Sequence, residues 1–494
     1  MRQLGSFPGG LVLDGQKSRS TQQPIRSVPL SKVLTLPLQQ HIGAAAVPIV
    51  KVGDKVLKGQ QIAKAEGHVS VCLHAPSSGH ITAIDERPIP HPSGLSALCI
   101  TIETDGKEQW TELTPIEDYK NSSDHELRQL IRDAGIVGLG GAGFPSFIKL
   151  NPSVHHHVDT LILNGVECEP YISCDDMLMR ERAQGILDGI AIMRQATKAN
   201  RCIIAIEDNK PIAINAMQTS LSTHTENGKI DIIVVPTRYP AGSEKQLIEV
   251  ITNKQVPNGG LPIDIGIVMH NVGTAYAIAR AINYGEPLIS RIVTITGNEV
   301  KNAGNLEVLF GTPIKDCLTF CETQWQIANP IIQGGPMMGY PLANADLPIT
   351  KTANCILVGV EQAAPAEQAM PCIRCGDCAT ACPVSLLPQQ LYWHAKAKDL
   401  DKAVDYNLFD CIECGCCNYV CPSEIPLVQY FKFAKTETMN QQQERQKSDA
   451  ARVRHDNRQT RQEMEKQEKA LRQQQRKAAL AASQTAKQAE EDKT

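Results

Sequence analysis

Two cysteine-rich stretches decide the fold class of one region of this chain: Cys372-Ile-Arg-Cys-Gly-Asp-Cys-Ala-Thr-Ala-Cys-Pro383 and Cys411-Ile-Glu-Cys-Gly-Cys-Cys-Asn-Tyr-Val-Cys-Pro422. Both have the spacing C-x2-C-x2-C-x3-C-P. The first three thiolates of such a run can bind three corners of a 4Fe-4S cluster, and the fourth, before the proline, ligates the other cluster when two runs occur together. The spacing therefore predicts two 4Fe-4S clusters with crossed ligand sets.

The crossed arrangement divides the cysteines of the two runs into two groups. The first predicted ligand set is Cys372, Cys375, Cys378 and Cys421, and the second is Cys382, Cys411, Cys414 and Cys417. Structural zinc usually pairs two C-x2-C hairpins, and disulfides do not suit a cytosolic chain, so both alternatives fit less well. Cys416 is predicted to be a bystander. The cysteines outside the runs are predicted to pack as small apolar residues: Cys72, Cys99, Cys168, Cys174, Cys202, Cys317, Cys321 and Cys355.

The composition of the whole chain bounds its class. With 494 residues it has room for about three to four domains, and its 42% hydrophobic and 21% charged residues are typical of a protein with several aliphatic cores. The formal net charge of −4 gives no general attraction to nucleic acid, so we expect no nucleic-acid partner. Without a secretory signal pattern or an apolar run near the ~18 residues of a membrane span, the chain is predicted to be cytosolic.

Residues 130–255 alternate short β-rich apolar runs with longer amphipathic ones. This alternation predicts a parallel α/β sheet with helices on its faces, and ligands of such sheets bind at the carboxyl ends of the strands. The predicted strands are 158–163, 202–206 and 230–235, and the predicted helices are 177–193, 212–221 and 246–250.

A glycine-rich loop lies at the entrance to this region. It reads Gly135-Ile-Val-Gly-Leu-Gly-Gly-Ala-Gly-Phe-Pro145 and is followed by Lys149. Glycines let the backbone approach a ligand and direct its N–H groups at phosphate, and a lysine supplies positive charge. The loop is not a Walker loop, since no Gly-Lys-Ser/Thr follows. From glycine content by itself, a flexible loop remains the alternative.

Polar residues also follow two of the predicted strands. One strand ends in Asn164-Gly-Val-Glu-Cys-Glu-Pro170, and another in Thr237-Arg-Tyr-Pro-Ala-Gly-Ser-Glu-Lys245. A carboxylate at a strand end can bind ribose hydroxyls or a nicotinamide amide, whereas the alternative is a capped turn with solvated acids.

In this order, the glycine-rich loop and the two turns resemble the NADH-binding flavoprotein subunit of respiratory complex I. Over about residues 1–435 the chain is similar to the C subunit of the Rnf/Rsx electron transport complex. The resemblance implies a multidomain α/β protein. Its implied parts are a barrel-sandwich (lipoyl-like) β docking domain at 1–115, a Rossmann-like parallel α/β FMN/NADH domain at 125–258, a small β-grasp SLBB-like domain at 262–345, an α-helical tandem 4Fe-4S ferredoxin domain at 362–435, and a mobile or helical charged low-complexity tail at 436–494.

The resemblance also assigns cofactor residues by position. It implies that Gly138, Gly140, Gly141 and Gly143 cradle FMN, with Lys149 near its phosphate and Asn164 near its ring or ribityl chain. Phe144, Glu169 and Glu244 match positions associated with NADH, and Tyr239 and Gly242 would complete the FMN wall. The chain departs from the complex I pattern at Leu139, Val166 and Ser243.

A flavin also has a chemical reason to be present. Nicotinamides exchange hydride, which carries two electrons, whereas each 4Fe-4S cluster takes one. A flavin accepts both electrons and releases them singly, so FMN is the expected junction, and no catalytic acid or nucleophile is required of the protein.

The remaining segments receive structural predictions. Residues 52–60 and 74–81 resemble lipoyl or biotinyl domains, but the intervening 65–71 has no lysine to carry a prosthetic group, so a docking domain is predicted. His68, His74 and His80 are predicted to lie on the surface, and His155-His156-His157 to form a polar loop. The segment Gly334-Gly-Pro-Met-Met-Gly339 is assigned to packing.

These expectations define one function and two alternatives. The chain is expected to be a peripheral subunit at the cytoplasmic side of the inner membrane, held by integral membrane and iron-sulfur subunits of the Rnf/Rsx complex. It would pass electrons between NAD(H), FMN and two 4Fe-4S clusters. The alternatives are a free-standing NADH dehydrogenase or diaphorase, and a ferredoxin-like relay with an inactive nucleotide site.

Overall fold

The computed structural model describes residues 4–152, 156–325, 330–360 and 369–491, with side chains described as far as residue 485. Parts of the predictions lie outside the described residues: His155, residues 1–3 of the docking domain, residues 326–329 of the SLBB-like domain, residues 362–368 of the ferredoxin domain and residues 492–494 of the tail. Short 3-10 helices occur at Lys17–Arg19, Tyr119–Asn121, Pro262–Ile265 and Leu408–Asp410.

Residues 33–104 form the barrel region, built from antiparallel sheets. Leu34 pairs with Ile102 and Leu36 with Ile100, and all four side chains are buried, because alternate residues of a strand face the same side. One sheet contains Val33–Pro37, Lys55–Val56, Gly79–Pro88 and Ser96–Thr104, and the other contains Val47–Pro48, Gln61–Lys64 and Leu73–His74.

The prediction of surface histidines is wrong for His74, which is buried. Its strand, Leu73–His74, pairs with Gln61–Lys64 inside the barrel region. His68 and His80 are exposed, as predicted.

Residues 124–284 form the α/β region, and the predicted parallel sheet is confirmed. Its strands lie in the order Ile230–Val235, Arg201–Glu207, Thr160–Gly165, Ile267–Asn271. Helices Ala183–Thr197 and Val272–Tyr284 pack closely, since a Cβ added to Gly189 would lie 2.0 Å from the Ala275 carbonyl oxygen. The other helices of the region are Asp124–Asp133, Ser146–Lys149, Cys174–Glu181, Pro211–Thr223 and Glu244–Thr252.

The boundary predicted near residue 260 is wrong. Strand Ile267–Asn271, which was expected to belong to the SLBB-like domain, pairs along Thr160–Gly165 as the next strand of the parallel sheet. Helix Val272–Tyr284 follows it directly, with the Asn271 side chain accepting a hydrogen bond from the Gly273 N–H as its N-cap. This strand and helix therefore belong to the α/β region and not to the SLBB-like domain.

Residues 285–360 form the mixed-sheet region. One edge of its sheet is Arg26–Ser27, which pairs with Gly304–Leu309, and Cys355–Val358 is an inner strand, paired with Ser290–Gly297 and Ile331–Gln333. The sheet thus includes segments on both sides of the predicted range 262–345, because pairing between distant segments leaves no local sequence signal. The remaining elements are strand Tyr340–Pro341 and helix Ile314–Phe320.

The cysteine-rich region, residues 369–438, is helical, as predicted. Leu391, Leu408 and Phe431 are buried at its centre. Its helices are Asp377–Thr380, Pro388–Ala397, Leu400–Asp405, Cys416–Tyr419 and Leu427–Glu491.

The last helix, Leu427–Glu491, continues through the charged tail, so of the two predicted forms of the tail the structure has the helical one. Side chains 442–485 are exposed throughout. Among the described residues, no helix has the length and apolar character needed to cross a membrane.

An extended N-terminal strap, residues 5–14, connects the α/β region to the cysteine-rich region. Leu11 and Tyr239 exchange two backbone hydrogen bonds of 2.8 Å, and the Gly10 N–H donates to the Ala381 oxygen at 3.0 Å. Gly9 has φ +55°, and a Cβ there would lie 2.5 Å from the Cys382 oxygen. The strap therefore fixes the first cysteine run beside the Tyr239 turn.

Candidate functional site

A cavity of about 690 Å³, called the main cavity below, opens at the carboxyl ends of the parallel strands. Its walls come from the glycine-rich loop, the ends of three strands, the mixed-sheet region and the second cysteine run. All but one of the cofactor residues predicted from the sequence line it. Those that do are Gly138, Gly140, Gly141, Phe144, Lys149, Asn164, Glu169, Tyr239, Gly242 and Glu244.

The exception is Gly143, which does not line this cavity, so its place in the cradle stays a prediction. A Cβ at Gly143 would lie 2.8 Å from the Thr352 side chain, so this glycine permits packing against the mixed-sheet region. Gly141 is different. It has φ +105°, and among the described residues no heavy atom lies within 4 Å of the position its Cβ would take, so its open side can accept a ligand.

The glycine-rich loop is held from both sides. Within the loop, the Gly138 N–H donates to the Phe144 oxygen at 2.8 Å. At Leu139, the N–H donates to the Thr274 hydroxyl and the oxygen accepts from the Arg291 guanidinium, both at 2.9 Å. The sequence patterns missed Thr274 and Arg291 because both lie more than a hundred residues from the loop in the chain.

Lys149 and Glu244 form an ion pair of 2.6 Å in the cavity wall. Lys149 also donates to the Met269 oxygen at 3.3 Å. Beside them, burial and the charge of Lys149 hold the pKa of His270 well below its usual range. His270 is therefore neutral at pH 7 and adds no charge to this wall.

Asn164 joins the two predicted turns. Its side-chain N–H donates to the Gly242 oxygen at 2.8 Å, and its side-chain oxygen accepts from the Val166 N–H at 2.9 Å. The structure thus brings the Asn164 turn and the Tyr239 turn together at one edge of the sheet, as the strand order requires.

Glu169 binds the Gly334–Gly339 segment, which the sequence assigned to packing only. Its Oε1 accepts hydrogen bonds from the N–H groups of Met337 at 2.8 Å and Met338 at 3.0 Å. Burial raises the pKa of this carboxyl. A Cβ at Gly335 would lie 2.2 Å from Glu169 Cγ. The segment is thus a wall of the cavity, and its glycine allows the close approach.

The main cavity has features that fit FMN. His270 Nε2 and Gln333 Oε1 line it while buried and without a hydrogen-bond partner among the described residues, and buried polar atoms ordinarily have partners. The open backbone at Gly141 suits close approach of a phosphate or ring. Neither His270 nor Gln333 carries a motif that the sequence could have revealed.

The first predicted ligand set surrounds a second cavity, of about 350 Å³. Cys372, Cys375, Cys378 and Cys421 all line it. The crossed partner, Cys421, thus lies with the first run. Four sulfur atoms around one cavity are the donor set that a 4Fe-4S cluster needs.

The second predicted set is gathered more deeply. Burial, followed by the neighbouring Cys411, Cys414 and Cys382, raises the pKa of Cys417. Cys382 accepts a hydrogen bond from the Leu386 N–H at 3.3 Å. The sulfur atoms of this set thus lie near one another, and their assignment to one cluster stays a prediction.

Cys416 is fully buried and forms a hydrogen bond with Cys414 that lowers the pKa of the Cys414 thiol. Its predicted role as a bystander is compatible with this position next to a ligand.

The second set adjoins the main cavity. Cys414 lines that cavity, and the Tyr239 hydroxyl donates to the Cys414 main-chain oxygen at 2.5 Å. The first set lines a separate cavity, and its Cys375 is exposed. One set thus reaches the main cavity and the other reaches the surface, which suits stepwise electron transfer.

Comparison with known families agrees with these sites. Three family models match, with the descriptions "RnfC Barrel sandwich hybrid domain" at residues 5–107, "Nuo51 FMN-binding domain" at 131–280 and "4Fe-4S dicluster domain" at 371–425. The predictions of a barrel-sandwich domain, an FMN domain and a two-cluster domain are thereby confirmed. The FMN match includes strand Ile267–Asn271, in agreement with the sheet.

Similar curated proteins share one name, that of the C subunit of an ion-translocating oxidoreductase complex. The relative from Pseudomonas aeruginosa is 49% identical over 93% of this chain and 59% of its own length. The relative from Haemophilus influenzae strain 86-028NP is 47% identical over 94% and 69%, and one from Vibrio cholerae is 48% identical over 94% and 60%. The chain thus spans about 60% of the length of two of these relatives.

Proposed function

Since this chain belongs to the family formed by the C subunits of ion-translocating oxidoreductase complexes, we propose that it passes electrons between NAD(H), FMN and two 4Fe-4S clusters as a peripheral subunit of such a complex. One observation carries the proposal: the main cavity is lined both by the glycine-rich loop and by Cys414. On this proposal the flavin site and the site of one cluster share a wall.

The cofactors supply the redox chemistry, and the chain supplies position and surroundings. Bound FMN would take two electrons from a nicotinamide and give them up singly. Gly138, Gly140 and Gly141 would hold it by their backbone, with Lys149 near the phosphate. Tyr239, which contacts both the cavity and the Cys414 loop, would fix the distance to the nearer cluster.

The remaining predicted site residues complete the proposal. Asn164 and Gly242 would hold the flavin from the strand ends, while Phe144, Glu169 and Glu244 would contact NADH. Cys382, Cys411, Cys414 and Cys417 would bind the nearer cluster, and Cys372, Cys375, Cys378 and Cys421 the farther one. We assign the SLBB-like domain to the mixed-sheet region.

The proposed partners are the integral membrane and iron-sulfur subunits of the complex, at the cytoplasmic side of the inner membrane. The name shared by the relatives favours membership of a complex over a free-standing dehydrogenase or an inactive relay.

The proposed function predicts the result of an anaerobic titration. The purified chain is expected to contain about one FMN and ~8 iron, and NADH should bleach the flavin and then the cluster absorbance. Iron without flavin, or flavin that NADH does not bleach, would contradict the proposal. Membership of the complex is checked by cell fractionation. The chain should co-fractionate with membranes, and this should be lost when the membrane subunits are deleted.

Glu169→Gln tests the nicotinamide contact. Glutamine keeps an oxygen for the Met337 and Met338 N–H groups but removes the charge, and a hydrogen bond to a charged group contributes about 1.5–3 kcal/mol. We therefore expect the KM for NADH to rise roughly tenfold with FMN content unchanged. Glu66→Gln, at an exposed position of the barrel region, is the control. An unchanged KM would contradict the proposed contact with NADH and leave Glu169 only its role of holding the Gly334–Gly339 segment.

A further inference from the structure

We propose that Asp175 carries the proton of the flavin reaction between the main cavity and a polar cleft on the other side of the cavity wall. The proposal rests on the proposed function and adds a named proton-transfer group to it. The sequence patterns gave Asp175 no role.

The chemistry requires such a group. Oxidation of NADH gives NAD⁺, one proton and two electrons. The two clusters accept one electron each and no proton, so the proton that arrives within the hydride must leave the flavin site by another route. In the reverse direction the same route must supply it. A carboxylate positioned in the cavity wall is a suitable acceptor.

Asp175 touches both compartments. It lines the main cavity and also a separate cleft of about 400 Å³. The cleft lies between the barrel, α/β and mixed-sheet regions, and charged side chains line it: Lys58, Glu108, Arg280, Glu286, Arg291 and Glu307. Such a polar cleft can hold the water that passes protons onward.

Neighbouring groups do not share this position. Glu167 lines the main cavity but not the cleft, and its Oε1 accepts hydrogen bonds from the Asp175 N–H at 2.9 Å and the Cys174 thiol at 3.4 Å. Cys174 lines the cleft but not the main cavity, and burial raises its pKa. Asp175 is thus the carboxylate that spans the wall.

The surroundings of Asp175 suit proton exchange. Its Oδ2 accepts a hydrogen bond from the Asn271 side chain at 2.6 Å. Burial, followed by the charge of Glu167, raises its pKa to about 7, while the Asn271 hydrogen bond and the charges of Arg291 and Lys210 act in the opposite direction. Near pH 7 the carboxyl is therefore present in both forms. Below this pH it is mostly protonated, and its capacity to accept a proton falls.

Asp175→Asn tests the proposal in the full chain loaded with FMN and clusters. The protein is reduced with NADH and then mixed in a stopped-flow instrument with ferricyanide, which accepts electrons without protons, in the presence of a pH-indicator dye. We expect proton release and flavin reoxidation to slow together by roughly tenfold or more, while NADH still bleaches the flavin. Asp176→Asn is the matched control, because Asp176 is on the same helix, pairs with Arg180 and lines neither compartment.

A second readout does not depend on turnover. The infrared difference spectrum between the oxidised and reduced protein should contain a protonated-carboxyl band that Asp175→Asn lacks and that Asp175→Glu shifts. If Asp175→Asn does not retain flavin, the shift of the carboxyl band in Asp175→Glu tests the proposal instead. Unchanged proton release in Asp175→Asn, or a band that neither variant alters, would overturn the proposal. A parent protein whose flavin NADH does not bleach would instead contradict the proposed function.

Discussion

Cys421→Ala is expected to remove the cluster held by Cys372, Cys375 and Cys378, although Cys421 belongs to the other run. The four sulfur atoms line one cavity, and a cluster that loses one of its thiolates has an open corner. The reciprocal change, Cys382→Ala, should remove the cluster held by Cys411, Cys414 and Cys417. In each variant the iron content should fall from ~8 to ~4 per chain.

The two variants should differ in what NADH can reduce. In Cys421→Ala, the remaining cluster is the one whose ligand Cys414 lines the main cavity, so NADH should reduce it at the parent rate. In Cys382→Ala, the remaining cluster is the farther one, and its reduction by NADH should slow by orders of magnitude. Electron paramagnetic resonance of the NADH-reduced proteins distinguishes these outcomes.

Cys416→Ala is the control for both changes. Cys416 is buried beside the second set but is outside the C-x2-C-x2-C-x3-C spacing, so both clusters should remain. Because its hydrogen bond lowers the pKa of Cys414, a shift in the potential of the nearer cluster is expected. If Cys421→Ala instead removed the cluster of Cys411, Cys414 and Cys417, the ligand sets would not be crossed.

The sequence predicted the local chemistry well because motifs are local. The cysteine runs, the glycine-rich loop and the two strand-end turns are each contained in a short segment. The parallel direction of the strands brings the glycine-rich loop and the two turns to one edge of the sheet. The same reasoning failed at strand Ile267–Asn271 and at Arg26–Ser27. Their partners lie more than a hundred residues away, and nothing in their own residues identifies the partner.

Buried polar residues were a second weakness of prediction from the sequence. His74 was expected on the surface, and His270 and Gln333 received no role, yet all three are buried in environments that come from other segments. Met337 and Met338 contribute through their main-chain N–H groups to Glu169, a contact for which the side chain gives no signal. Gly143 was placed in the cradle by its neighbours in the motif, whereas its contact with Thr352 depends on how two regions pack.

Gly141→Val is expected to abolish FMN binding while both clusters remain. Two effects act together at this position. A φ of +105° is unfavourable for valine, at a cost of roughly 1–3 kcal/mol, and the added side chain would occupy the space beside the loop that the cofactor needs. The cluster sites use none of this loop, so iron content should not change.

Gly53→Val separates the two effects. Gly53 has φ +92°, and no heavy atom among the described residues lies within 4 Å of the position its Cβ would take, so the backbone strain is similar. It lies on an exposed turn of the barrel region, away from the main cavity. We expect Gly53→Val to bind FMN like the parent, measured by flavin fluorescence after release from the purified protein. FMN retained in Gly141→Val would show that the cofactor does not lie against this glycine, and FMN lost equally in both variants would indicate that strain spreads through the fold.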